Sequence, residues 1–510
     1  MRIGLGTALL LAASSLVGLS PSPVAASTGC ETPDTTWQGP ATPEGSASWH
    51  EPTNWVGGVP TATSVVCIPT ATTGPQVREG SRAQAGTVAL DGVLTVAGSL
   101  DVATLEGDFG ELHGPGTTTV QQAVTGNPLT LLDGAVLDLS QFATTSMSGE
   151  IRVYDGSRLN ARGNVVLADG ATIDSFGLPG SGLFTIANTG RLTLAAPDSS
   201  ARVQGGFANH GWVTLTGSQS LEMLGASPED ALPEQFSTGL FLGAPGAFFN
   251  VSGTELGDAV FEHVTLVDHV TVPEGSSVYA ESTSLAEVQL DGELDTNGAT
   301  TLDAADVSGE VSVESGTLSV PSLAPSTLSE DGTLAKGSWN VYLDATLDLP
   351  SITTVDAWLN LVGPDASLGD SLANLTGIGP NGSLLLGADL AVPGRFRNAG
   401  VLALGDSRLD VGGKFRQVAT GTFVTWLGST GRGVVRAAGP RQLAGDLWVD
   451  RAAAYEPPVG TVLNIITSNG REGAGEFDRV FSSRFGPNAT RRLRVAYGTN
   501  HVRLRVDSVG

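Results

Sequence analysis

Short bursts of alternating apolar and polar residues recur along this chain, each introduced by a glycine. Gly149-Glu-Ile151-Arg-Val153, Gly170-Ala-Thr-Ile173, Gly190-Arg-Leu192-Thr-Leu194 and Gly211-Trp-Val213-Thr-Leu215 follow one another with their glycines 21, 20 and 21 residues apart. A period of two belongs to a strand with one dry and one wet side. A short strand and its turn, repeated near every twenty residues, predicts a solenoid. One coil cannot bury its own apolar side, whereas stacked coils share a continuous core. Kindred phrases at Gly292, Gly309, Gly316, Gly337, Gly382, Gly400, Gly421 and Gly445 carry the rhythm onward. The expected architecture is therefore all-β, a parallel β-helix, with its regular coils over 76–438.

The corners have their own signature. Asp-Gly pairs at 133–134, 155–156, 169–170, 291–292 and 331–332 suit tight turns, because glycine accepts positive φ and Asp can bond its own backbone. The phrases Ile186-Ala-Asn188-Thr-Gly190, Phe207-Ala-Asn209-His-Gly211 and Phe396-Arg-Asn398-Ala-Gly400 place an Asn two residues before Gly. Such an Asn is expected to adopt the left-handed conformation or to satisfy backbone groups at a bend. Between Leu224 and Phe241 the rhythm lapses, which predicts a projecting loop or short helix.

The two ends differ from the middle. Residues 1–26 read as a signal peptide: Arg2, an apolar stretch from Leu5 to Leu19, and small residues before a cleavage point near Ala26. Export to an oxidising compartment predicts that the chain's two cysteines, Cys30 and Cys67, form a disulfide. Lipid anchoring at Cys30 is not expected, because Ser27 stands where such a signal requires an apolar residue. Residues 27–75 are predicted to cap the first coil, with Trp37, Trp49 and Trp55 close together among Pro, Thr and Gly. These three rings are the candidate binding residues as well, since tryptophans can stack on sugars; covering the open core is the other role they could play. Residues 439–510 are expected to form the last coil and a β-rich C-terminal cap. The closing run Val502-Arg-Leu504-Arg-Val506 alternates, with one face buried and one wet.

Trp49-His-Glu-Pro-Thr-Asn54-Trp55-Val-Gly-Gly-Val-Pro60, followed by Val65-Val-Cys67-Ile68-Pro69, resembles the opening segment of large exported bacterial β-helix proteins. The Asn-x-Gly phrases resemble repeats of right-handed parallel β-helices in haemagglutinin-type and autotransporter passenger proteins. The stretch from Leu443 through Val495-Ala-Tyr497 is similar to their closing segment. The resemblance implies a right-handed coil and partly antiparallel strands over the final turn. No run of alternating ten-residue strands follows, so no self-anchoring barrel is expected.

Composition narrows the possible roles. Charged residues make up 15% of the chain, and 52 acidic against 26 basic residues give a net charge of −26. That balance speaks against a nucleic-acid partner, and no membrane span is expected. No calcium-binding nonapeptide, phosphate loop, Gly-x-Ser-x-Gly or His-Glu-x-x-His motif occurs, so neither cofactor nor metal is expected. The most polar candidate cluster is Glu262-His263-Val-Thr-Leu-Val-Asp268-His269. On one uninterrupted strand, it would set the two histidines on one side and the two carboxylates on the other. The expected role is a secreted, non-enzymatic scaffold, adhesin-like or structural, that binds extracellular carbohydrate or another surface polymer. The alternative is a carbohydrate-active β-helix enzyme, which would need paired carboxylates in a groove.

Overall fold

The computed structural model describes residues 30–508, except 43–45, 71–72, 143, 175–181, 216–218, 225–235, 244–247, 253–254, 257–258, 263, 265, 269, 430, 453–454, 470–474 and 483–490. The expected signal peptide therefore lies outside the described residues, as does most of the predicted loop between Leu224 and Phe241.

The chain winds as a parallel β-solenoid. Each regular coil gives one strand to each of three parallel sheets, numbered I, II and III in the order the chain enters them. Residues 144–153 serve sheets I and II in one run, Arg158–Ala161 joins sheet III, and Asn164–Leu167 returns to sheet I beside residues 144–147. Sheet I is one ladder from Val65–Ile68 to Arg479–Ser482. In the first coils the chain rounds corners without leaving strand geometry. Thr117–Leu132 passes through all three sheets in sixteen residues.

Register corrects one reading of the glycine phrases. Ile151 pairs with Ile173 in sheet II, whereas Leu192 pairs with Val213 in sheet I. The four look-alike strands thus belong to two faces. Thr144 pairs with Asn164, twenty positions on, but Asn164 pairs with Arg191, twenty-seven positions on. A longer coil containing 175–181 carries the chain past one corner, so an interval near twenty reappears between strands of different sheets.

Corner chemistry is mixed. Asp133-Gly134 and Asp155-Gly156 both adopt positive φ, at 55°, 76°, 51° and 69°, and Gly134 N–H donates to the Asp155 carbonyl in the next coil at 3.0 Å. None of Asn188, Asn209 or Asn398 has positive φ, and the two buried ones, Asn209 and Asn398, act through their side chains. Asn209 is buried; its Oδ1 accepts from Gly211 N–H at 3.0 Å and its Nδ2 donates to the Leu240 carbonyl at 3.2 Å. Asn398 repeats only the donor half of this, its Nδ2 donating to Gln417 Oε1 and the Thr422 carbonyl while its Oδ1 is buried without a partner. These bonds offset the cost of burying an amide, about 1–3 kcal/mol when it is left unpaired. Asn188, by contrast, lies exposed.

Inward side chains form one core from Trp37 to Leu504. Like residues stack across coils: Phe241 on Phe261 at 4.8 Å and Phe396 on Phe415 at 6.2 Å between ring centres. Each fully buried side chain of this size contributes roughly 1.5–3 kcal/mol.

Both caps are present. At the N-terminal end the Cys30–Cys67 disulfide joins the entering chain to the first strand of sheet I. Thr35–Trp37 pairs antiparallel with Trp55–Val56 and parallel with Val65–Ile68. At the other end Val462–Ser468 takes sheet II over the final coil, then pairs antiparallel with His501–Ser508, which in turn pairs antiparallel with Arg491–Tyr497. Val502, Leu504 and Val506 are buried, as their alternation predicts. Arg441, on the last strand of sheet III, is also buried. Its guanidinium reaches the carbonyls of Gly498 at 2.6 Å and Thr499 at 3.0 Å and the Ser468 hydroxyl at 3.4 Å.

Candidate functional site

The three candidate tryptophans of the cap point inward. Trp37, Trp49 and Trp55 are 2%, 0% and 4% exposed. Trp55 meets both of the others edge-on at 5.0 Å. Trp37 Nε1 donates to the Thr73 carbonyl and Trp55 Nε1 to the Trp49 carbonyl. They cover the open core, and almost none of their ring surface is turned to solvent.

The other tryptophans follow a different rule. Trp339 is buried, but Trp212, Trp358, Trp426 and Trp448 are 47%, 60%, 40% and 49% exposed. All four lie on strands of sheet I, and all four point outward. The cause is strand parity. In Ala357-Trp358-Leu359-Asn360-Leu361 and Asp446-Leu447-Trp448-Val449 the leucines and valine take the core positions, so the intervening tryptophans must face water.

Register shows how they are arranged. One outward row comes up through Asn164 and Arg191 to Trp212, then passes through Leu240, Val260 and Tyr279 to Asp295. It continues through Ser312, Asn340 and Asn360 to Leu385, Ala403 and Val424, and ends at Trp448 and Phe481. From Trp212 onward the row is first aromatic and apolar, then polar, then apolar and aromatic again at its C-terminal end. Trp358 flanks the middle from a neighbouring row, paired with Ser338 and Ser383, and Trp426 flanks the C-terminal end, paired with Asp450. The Trp448 and Phe481 rings are 4.7 Å apart. Arg479 lies 5.5 Å from the Phe481 ring centre and is held there by two bonds to Asp446, at 2.8 and 2.6 Å.

The middle of the face is acidic. Burial pushes Asp295 up to about 6, helped by the neighbouring charges of Glu293, Glu314 and Glu310, while a hydrogen bond with Ser312 works the other way. Burial also raises Tyr342, again with Glu314, Glu310 and Asp295 nearby. Around them runs an amide chain. Asn360 donates to Asn340 Oδ1 at 2.8 Å, and Asn340 donates to Glu310 Oε1 at 2.6 Å. Tyr279 donates to Glu281 at 3.0 Å and accepts from Asn297 at 3.2 Å. None of the ion pairs among the described residues involves Glu293, Asp295, Glu310 or Glu314.

The Glu262–His269 run does not form one strand. Ala259–Glu262 belongs to sheet I and Leu266–Asp268 to sheet II, with a corner between them. Glu262 and Asp268 therefore sit on different faces; His263 and His269 lie outside the described residues. No group of three or more His, Cys, Asp or Glu among the described residues is placed to hold a metal ion. No helix among them is long and apolar enough to cross a membrane. The sequence matches no protein-family model and no curated protein.

Proposed function

We propose that the protein is a non-enzymatic scaffold that binds an extended neutral glycan along the outer surface of sheet I, outside the cell. The observation that carries this reading is the placement of all four exposed tryptophans on one face. Indole faces supply flat apolar area for sugar rings, and amides and carboxylates between them supply hydrogen bonds to hydroxyls. Successive strands lie ~4.8 Å apart, so the row offers contacts at short regular intervals to a linear polymer. Export, implied by the expected signal peptide, would put that surface where such polymers occur. Titrating the full chain with cellulose, xylan and chitin oligosaccharides, followed by tryptophan fluorescence, tests the reading. At least one should quench fluorescence, and the W358A/W448A variant should lose the effect. Equal binding by that variant, or no response to any neutral glycan, defeats it.

One observation favours the alternative of a carbohydrate-active enzyme. Asp295, its carboxyl pushed up to about 6 by burial beside Glu293, Glu310 and Glu314, resembles the raised acid that glycoside hydrolysis pairs with a second carboxylate. Release of reducing ends that disappears in D295N would replace the scaffold reading with this one.

A further inference from the structure

The charge of this molecule is divided along its length. Residues 391–510 hold 17 of the 26 Lys and Arg but only 9 of the 52 Asp and Glu. Within that stretch four cations meet on the outside of sheet III. Phe396–Asn398 pairs with Phe415–Gln417, setting Arg397 directly beside Arg416. Arg395 and Lys414 precede the two phenylalanines and are exposed, as are Arg397 and Arg416. The result is a two-by-two grid, with ~4.8 Å between strands and ~6.8 Å along each strand.

Like charges directly opposite on neighbouring strands are destabilising, and nothing described nearby neutralises these. No hydrogen bond or ion pair among the described residues engages the guanidiniums of Arg395, Arg397 or Arg416, and Lys414 bonds only the neutral Gln442, at 3.0 Å. Carboxylates in this part of the chain are engaged elsewhere: Asp389 and Asp410 converge on Arg408, at 3.0 and 2.7 Å, and Asp446 holds Arg479. Protection of a sheet edge does not account for the grid, because these are interior strands. Gly377–Ile378 lies on one side and Arg441–Gln442 on the other. Gly377, the neighbour of Arg397, has no side chain to cover it. At the adjoining corner a depression of about 480 Å³, walled by Pro393, Gly412, Asp410 and Arg436, continues the surface.

We propose that this grid binds a linear polysaccharide bearing carboxylates on successive sugars, a polyuronate. Guanidinium forks match carboxylate geometry, and an array of them specifies a row of carboxylates at short spacing. The strongly acidic remainder of the rod disfavours broader polyanions such as duplex nucleic acid or an anionic bilayer, whereas a single thin chain can lie along the grid. The site is separate from sheet I and does not depend on the neutral-glycan reading.

The test is binding of the full chain to polygalacturonate across a range of NaCl concentrations, with dextran, single-stranded DNA and phosphatidylglycerol vesicles alongside. The expected result is salt-sensitive binding of polygalacturonate, weakened by about tenfold or more in R397Q/R416Q and unaffected in W358A/W448A. Unchanged binding in R397Q/R416Q overturns the proposal, and so does tighter binding of the DNA or the vesicles at equal ionic strength. A second measurement on the wild-type chain covers the case in which that variant does not fold. Polygalacturonate should protect Arg395, Arg397 and Arg416 from a dicarbonyl reagent, read by peptide mass spectrometry, and equal modification with and without it overturns the proposal.

Discussion

The N-terminal cap and the outside of sheet I use tryptophan in opposite ways. In the cap, three indoles close on one another and shut water out of the first coil. On sheet I, four indoles stand on strands whose alternate residues already fill the core, so the rings are left in solvent. What distinguishes them is not the residue or its density but whether it falls on the inward or the outward beat of its strand.

That contrast can be attacked from both sides. The largest effect is expected from W49A: deleting a fully buried indole should cost about 3–5 kcal/mol, seen as early loss of structure at the N-terminal end in denaturant-dependent hydrogen exchange. Cleaving the Cys30–Cys67 bond by C67S should weaken the same end by about 2–4 kcal/mol, with the later coils keeping their protection. By comparison, W358A or W448A should change stability by less than about 0.5 kcal/mol while weakening glycan binding roughly five- to tenfold. If W358A destabilises as W49A does, the two groups of tryptophans are not different in kind.

The smallest effect concerns pH. Asp295 has a folded value of about 6, above the 3.8 of an ordinary Asp. Between those values the native state holds a proton that the unfolded chain has released, so stability from this group declines as pH rises from about 4 to 6. The residue is half-buried, and screening reduces the effect to about 1 kcal/mol or less. D295N should flatten that part of the melting-temperature profile and raise the melting point at pH 7.5 by about 1–2 °C.

Much of the architecture was legible in the sequence because strand alternation is local. Ile151-Arg-Val153 and the closing Val502-Arg-Leu504 declare their dry sides without reference to any neighbour. Stacking is not local. Coil length varies with what is inserted at the corners, so the interval from Gly170 to Gly190 looks like one turn although it joins strands of different sheets. The same cause split Glu262 from Asp268. The outward tryptophans did leave a signal: in Gly211-Trp212-Val213 and Asp446-Leu447-Trp448 the indole occupies the polar slot. What the chain could not show is that these slots, more than two hundred residues apart, fall in a single row. The pairing of Arg397 with Arg416 was hidden for the same reason, since it exists only between coils.

The buried Arg441 has a consequence for the far end of the rod. Its guanidinium holds the terminal hairpin through two carbonyls and a hydroxyl, none of which gains or loses a proton in the range where carboxylates do. Acid that would loosen a latch made of opposite charges leaves this one closed.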